Sequence, residues 1–228
     1  METKLAILTV NFNTPEYIFA LNKSLRKYNP WYKGNLIVYD NSTEKVLVDG
    51  ITSCFDVRYV DNTIYECLDK LPPSKYQAAG RYNSARHSLT IDKMLKECDT
   101  DYCLLVDSDI IFTHDFHNLL DDFAKNDYFL MGYKRTTYKK HAIAPWCCFI
   151  NLKKFREYNF NFFDFNRILY VQDNLEYDTG ASLFEDAITN HLKIKELPDN
   201  SFYVHFKGGS VFKENGLNWL RKNYKLWN

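Results

Sequence analysis

The chain is poor in glycine, with 8 in 228 residues. Neither GxGxxG nor GxxxxGKS/T occurs, which excludes the glycine-rich phosphate cradles of dinucleotide-binding and P-loop proteins. Net charge is missing too: 29 Lys and Arg balance 29 Asp and Glu. That argues against a partner held by bulk electrostatics, such as duplex nucleic acid, though a local basic patch remains possible. The six cysteines (Cys54, Cys67, Cys98, Cys103, Cys147, Cys148) form no CxxC pair. They read as buried free thiols of a reducing compartment. No stretch reaches the roughly 20 apolar residues of a membrane span. The apolar run Leu5 to Val10 is too short for a signal-peptide core, so a cytoplasmic location is expected.

Aromatic side chains are abundant at 17%, from 17 Tyr, 17 Phe and 4 Trp. Hydrophobic residues at 46% and charged residues at 25% describe a folded globular chain. Its length buries a full core without staples and suits one domain over 1–228.

Short aliphatic runs alternate with helical patterns. Leu5 to Phe12, Asn35 to Tyr39, Val57 to Val60 and Tyr102 to Val106 read as strands. Thr14 and Pro15 open a helix that stops before Pro30. Tyr76 to Cys98 is helical. This alternation predicts parallel pairing in an α/β/α sandwich, with ligands at the carboxyl ends of the strands. The second half is less regular. Asp115 to Ala124 and Thr179 to His191 read as helices, Tyr128 to Tyr133, Cys147 to Leu152 and Phe202 to His205 as strands, and Asn218 to Trp227 as a terminal helix. The expected division is a nucleotide-binding half over about 1–112 and an acceptor-binding half over about 113–228.

Two acids interrupt the buried run Leu104 to Phe112, at Asp107 and Asp109 around Ser108. Buried carboxylates must be offset. In extended chain, residues two apart point the same way, so both acids can converge on Mg²⁺ or Mn²⁺. A turn built on Asp is the alternative.

Val10-Asn11-Phe12-Asn13-Thr14, Tyr39-Asp40-Asn41-Ser42 and Leu105-Val106-Asp107-Ser108-Asp109-Ile110 together resemble the GT-A-fold glycosyltransferases of the family-2 type. The resemblance covers about residues 5–112 well and the remainder more loosely. It implies a Rossmann-like single domain with a mostly parallel sheet. It also implies metal-dependent transfer from a nucleotide-diphosphate sugar to an acceptor hydroxyl, in glycan or polysaccharide biosynthesis. Thr9, Val10, Asn11 and Asp40 would line the nucleotide pocket. Asp107 and Ser108 would lie near the donor, and Asp109 would ligate the metal. Arg86 and His87 would approach the donor from the helix before the DxD.

Two later clusters extend this reading. In Tyr177-Asp178-Thr179-Gly180 to Glu185-Asp186, Thr179 can cap a helix and the acids can favour its dipole. For inverting transfer one carboxylate must take the acceptor proton. The resemblance favours Asp186, with Glu185 orienting and Asp178 in reserve at the acceptor. In Val204-His205-Phe206-Lys207-Gly208-Gly209, His205 would be a third metal ligand that suits Mn²⁺; a surface turn after an edge strand is the alternative. Lys207 and Gly208 would meet phosphate oxygens. Trp146, Trp31 and the aromatic stretch Tyr158 to Phe165 are stacking surfaces for an acceptor sugar, or core. The basic, aromatic tail reads first as a packing helix with a solvated basic face, with contact to a membrane, as suits a lipid-linked acceptor, as the alternative. Rival readings are a sugar nucleotidyltransferase, which the missing glycine-rich basic loop disfavours, and a non-catalytic carbohydrate-binding module.

Overall fold

The computed structural model describes residues 4–42, 56–62, 81–135, 140–164, 166–167, 171–172, 175–206, 218 and 222. Its strands are β1 (Leu5–Asn11), β2 (Leu36–Asp40), β3 (Val57–Asp61), β4 (Tyr102–Asp107), β5 (Ile110–Phe112), β6 (Leu130–Arg135), β7 (Ala142–Asn151), β8 (Val171–Gln172), β9 (Leu175–Glu176), β10 (Ile194–Leu197) and β11 (Tyr203–His205). Its helices are α1 (Pro15–Tyr28), α2 (Arg81–Glu97), α3 (His117–Lys125), α4 (Leu152–Glu157) and α5 (Ala181–Thr189).

Seven strands form one sheet in the order β10-β6-β7-β4-β1-β2-β3. All run in one direction except β7, which is antiparallel to both β4 and β6. The expected mostly parallel α/β sandwich is therefore present. Its strands alternate their side chains between two buried faces, as sheets covered on both sides must. Ala6, Leu8, Val10, Cys103 and Leu105 pack with α2, α4 and α5. Ile7, Val38, Leu104, Val106 and Phe149 pack with α1, α3 and the β5–β11 ribbon. Most of the aromatic surplus goes here: Phe149 meets Phe116, Phe123 and Phe202 at centroid distances of 5.8, 5.6 and 6.1 Å.

Several local expectations change. β7 begins at Ala142 rather than Cys147, because Pro145 disguises its first half. Between the pairs Gly132↔Cys148 and Lys134↔Ile143 the register shifts, and β7 carries extra residues that include Pro145 and Trp146. Gly132 lies where the strands crowd: a Cβ there would meet Ile143 Cγ2 at 2.9 Å and the Cys147 carbonyl at 3.0 Å. The segment after β7 is helical, with Asn151 capping α4 by accepting from the Lys154 amide at 3.2 Å. Phe160, Phe162 and Phe163 are buried, so this part of the aromatic stretch is core rather than a stacking surface. The edge strand β10 has no aliphatic run to announce it. Thr14 precedes α1, but its hydroxyl donates to Asn11 Oδ1 at 3.0 Å instead of capping the helix.

Cys103, Cys147 and Cys148 are buried free thiols, and burial raises the pKa of each. Cys54, Cys67 and the terminal helix call for nothing here, since Cys54, Cys67 and most of 218–227 lie outside the described residues. Among the described residues, no helix is long and apolar enough to cross a membrane.

Phe149→Ala should lower unfolding free energy by about 3–5 kcal/mol, the usual cost of emptying an aromatic core position. Urea denaturation measures it.

Candidate active site

The carboxyl ends of β1, β2 and β3 carry a buried polar lattice. Asp40 is fully buried at 0% exposure. Its Oδ1 accepts from Asn11 Nδ2 at 2.9 Å, Ser42 Oγ at 2.6 Å and the Ser42 amide at 3.1 Å. Its Oδ2 accepts from the Tyr59 hydroxyl at 3.1 Å. Burial and the Asp40 charge both raise the Tyr59 pKa, which keeps that phenol a donor. Beside it, Asn41 Nδ2 and Asn62 Nδ2 both donate to Thr90 Oγ1, at 2.9 and 3.1 Å. Lys93 Nζ closes the lattice on Asn62 Oδ1 at 3.0 Å. Asp40 and Asn11 thus hold the strand ends together through their side chains. Thr9 is buried in register with Val38 and Val106, and Val10 lies in register with Asp107.

Asp107 ends β4, Ser108 and Asp109 form a turn, and Ile110 starts β5. The chain is not extended through the DxD as expected; convergence comes from the turn. β11 pairs antiparallel with β5, setting His205 opposite Ile110. His205 Nε2 then lies 3.1 Å from Asp109 Oδ1 and 3.7 Å from Asp107 Oδ2. Each of the three residues offers a ligand atom within 4.8 Å of the others. His87, from α2 on the other face of the sheet, places Nε2 3.7 Å from Asp107 Oδ1. Side-chain exposure is 9% for Asp109, 8% for His205 and 26% for Asp107. Burial raises the Asp107 pKa; His87 pulls it down, Asp109 adds to the rise, and His205 again lowers it. Two carboxylates and an imidazole, converging and largely desolvated, fit a divalent cation that accepts nitrogen as well as oxygen. The Trp146 ring stacks on His205 at 5.2 Å, so the β7 irregularity delivers this indole to the site.

α5 brings the later acids. Gly180 precedes it with φ +83°, a conformation that glycine adopts without strain. Gly180, not Thr179, occupies the cap position. Thr179 Oγ1 instead accepts from Ser88 Oγ at 3.1 Å, tying the start of α5 to α2 next to His87. No acid lies in the first turn of α5, so the dipole account of Glu185 and Asp186 does not hold. Asp178 Oδ2 accepts from Arg135 Nη1 at 2.8 Å, and each side chain is 14% exposed. Asp186 lies eight residues later. Arg167 takes both of its oxygens at 2.7 Å and also reaches Glu185 Oε2 at 3.1 Å and Asp164 Oδ2 at 2.7 Å. The Asp186 hydrogen bonds outweigh burial and raise the Arg167 pKa further. Tyr177 donates to Glu185 Oε1 at 2.8 Å. A cavity of about 300 Å³ beside this cluster is lined by Lys140, His141, Tyr177, Phe184, Glu185 and Ile188.

Asp107, Asp109, His205, His87 and Trp146 therefore meet at one place. Ser108 occupies the turn itself, and Arg86 sits next to His87 on α2. Lys207 and Gly208 lie outside the described residues. Trp31 does not join the group: it precedes β2 and stacks on His117. Arg135, Arg167, Asn62 and Thr90 were not anticipated. They stand apart from the sequence motifs and acquire meaning only through the fold.

The architecture is that of the GT-A fold. Galactosyltransferase LgtC, solved with donor and acceptor sugar analogues, is similar over 86% of this chain and 74% of that chain, with a TM-score of 0.55 and 17% identity. TarS residues 1–349 from S. aureus is similar over 92% of this chain and 63% of that chain, with a TM-score of 0.52 and 15% identity. A UDP complex of the same TarS fragment matches over 88% and 60% of the two chains, with a TM-score of 0.52 and 15% identity. No protein-family profile matches the sequence, and no curated protein sequence does.

Mn²⁺ should raise the melting temperature of the unaltered protein, because an ion that binds only the native state stabilises it. In Asp109→Asn that rise should shrink to near zero, as read by differential scanning fluorimetry.

Proposed function

We propose that the protein is a metal-dependent glycosyltransferase that moves a sugar from a nucleotide-diphosphate sugar to an acceptor hydroxyl with inversion. The observation that carries this reading is the convergence of Asp107, Asp109 and His205 at the carboxyl edge of a GT-A-type sheet. These three residues would hold Mn²⁺ or Mg²⁺. Such an ion supplies positive charge to a diphosphate that gains negative charge as it departs. The solved complexes of LgtC with donor and acceptor analogues and of TarS with UDP support a donor of this class.

The protein's own groups then have separate tasks. The strand ends of β1 to β3 form a rigid wall for the nucleotide, held by the Asp40 and Asn41–Asn62–Thr90 lattice. Trp146, stacked on His205, offers an apolar ring beside the transfer point. A base must accept the acceptor proton while the acceptor oxygen attacks the anomeric carbon. The bond from that carbon to the diphosphate oxygen breaks, and the diphosphate leaves with the electron pair.

We assign the base to Asp178 ahead of Asp186. Arg167 engages both oxygens of Asp186, which withdraws its lone pairs from a substrate proton. Arg135 engages Oδ2 of Asp178 at 2.8 Å, and the Thr179 hydroxyl donates to its Oδ1 at 3.5 Å, so the preference rests on position. Thr179, the next residue, bonds Ser88, and His87 beside it faces Asp107. Asp178 is thereby tied to the metal edge, while Asp186 sits about 7.5 Å along the helix axis from the start of α5. Arg167, Glu185 and Asp186 then fix the segment beside the acceptor cavity. Acceptors are glycans or lipid-linked sugars, and the setting is glycan synthesis at or near the cytoplasmic face of a membrane.

A panel of nucleotide-sugars with Mn²⁺, assayed for donor turnover, tests the reading. Asp109→Asn should abolish turnover while leaving the far-ultraviolet circular dichroism unchanged; full turnover would remove the metal role. Asp178→Asn should cut transfer about 10²–10⁴-fold, the usual contribution of a positioned base. If Asp186→Asn shows that loss and Asp178→Asn does not, the base is Asp186. Retained anomeric configuration in the product would exclude direct displacement.

A further inference from the structure

A second cavity lies away from all of this chemistry. It has a volume of about 740 Å³ and opens at the amino ends of β1 and β4, where Lys4, Leu5, Asp99 and Thr100 border it. The metal cluster lies at the opposite ends of the same strands. Six residue steps along β1 lead from Leu5 to Asn11, about 20 Å at the rise of a strand.

The cavity wall is aromatic and held rigid. The Trp31 indole donates through Nε1 to Asp115 Oδ1 at 3.0 Å and packs edge-on against Phe116 at 5.2 Å. The His117 ring lies stacked on it at 4.6 Å. Tyr32 adjoins it at 6.1 Å, its hydroxyl donating to the Asn35 carbonyl at 3.1 Å. Burial raises the Tyr32 pKa to about 12, so the phenol stays neutral. Gly34 lies tight against Tyr32: a Cβ there would be 2.7 Å from the Tyr32 hydroxyl. The rim carries both signs in equal number, with Lys4 and Lys33 against Asp99 and Asp121.

Each feature narrows the ligand. A pre-organised aromatic wall suits a rigid ring with an apolar face, and little ordering is needed to receive it. The rim acids and amines supply acceptors and donors to hydroxyl groups. Their balance gives no preference for an anion or a cation. A sugar ring has that combination of apolar face and hydroxyl edge, and the volume accommodates more than one ring. We infer that this cavity is a second carbohydrate site, which binds a neutral glycan segment remote from the transfer site. In a transferase it would hold a growing chain and raise the local concentration of its acceptor end. The inference deepens the transferase reading, but its test does not depend on transfer.

The full chain labelled with 5-fluorotryptophan gives separate ¹⁹F resonances for Trp31 and Trp146. The probes are maltohexaose, cellohexaose, chitohexaose and xylohexaose. At least one should shift the Trp31 resonance saturably and leave that of Trp146 in place. Asp121→Ala, an exposed rim change, should raise the apparent Kd about tenfold. Trp31→Phe identifies the resonance, in a chain whose circular dichroism confirms folding. No Trp31 shift with any probe overturns the inference, as does binding that Asp121→Ala leaves intact. Self-association in sedimentation that Asp121→Ala abolishes assigns the face to a second copy instead. Glycan binding at Trp31 without donor turnover would sink the transferase reading alone.

Discussion

The site depends on one pairing, that of β11 with β5 across the Asp-Ser-Asp turn. β5 is a three-residue strand that begins directly after Asp109. By pairing with it, β11 carries His205 back to the two acids from a point nearly one hundred residues later in the chain. The Phe206 amide adds a hydrogen bond to the Asp109 carbonyl at 3.2 Å, fixing the turn against the end of β11. Phe112, Phe116 and Phe202 pack around the ribbon, so its geometry is set by a close-packed aromatic core. The aromatic surplus and the metal cluster are therefore parts of one construction.

Buried charge separates acids that the protein itself neutralises from acids that face one another. Asp40 is buried but accepts four hydrogen bonds from Asn11, Ser42 and Tyr59, so the protein itself offsets its charge. Asp186 has both oxygens on the Arg167 guanidinium. Asp107 and Asp109 are different. They face each other and two imidazoles, and burial leaves the Asp107 pKa raised. A divalent cation would supply the charge that these acids need, and an incoming diphosphate would share it. Asp178 pairs with Arg135 just before α5 rather than along it.

The α/β alternation, the DxD and the late histidine were legible in sequence because each rests on local chemistry. Aliphatic strands declare themselves by short β-branched runs, and an acid inside such a run demands an explanation. What escaped depends on distant partners. Pro145 hid half of β7, although the same irregularity presents Trp146 to His205. Arg135 and Arg167 are ordinary surface residues until the fold brings them to Asp178 and Asp186. Trp31 read as an acceptor platform by residue type alone. Its strand order places it at the other end of the sheet, where it lines a separate cavity. Residue type shows which chemistry is possible, while topology decides which groups share it.

Anomalous X-ray diffraction from crystals of the protein grown with Mn²⁺ and UDP tests the central claim most directly. The account predicts an anomalous peak bound by Asp107, Asp109 and His205, with the diphosphate beside it at the carboxyl edge of the sheet. A fully bound ion and nucleotide elsewhere, with these three side chains still paired only to one another, would contradict it.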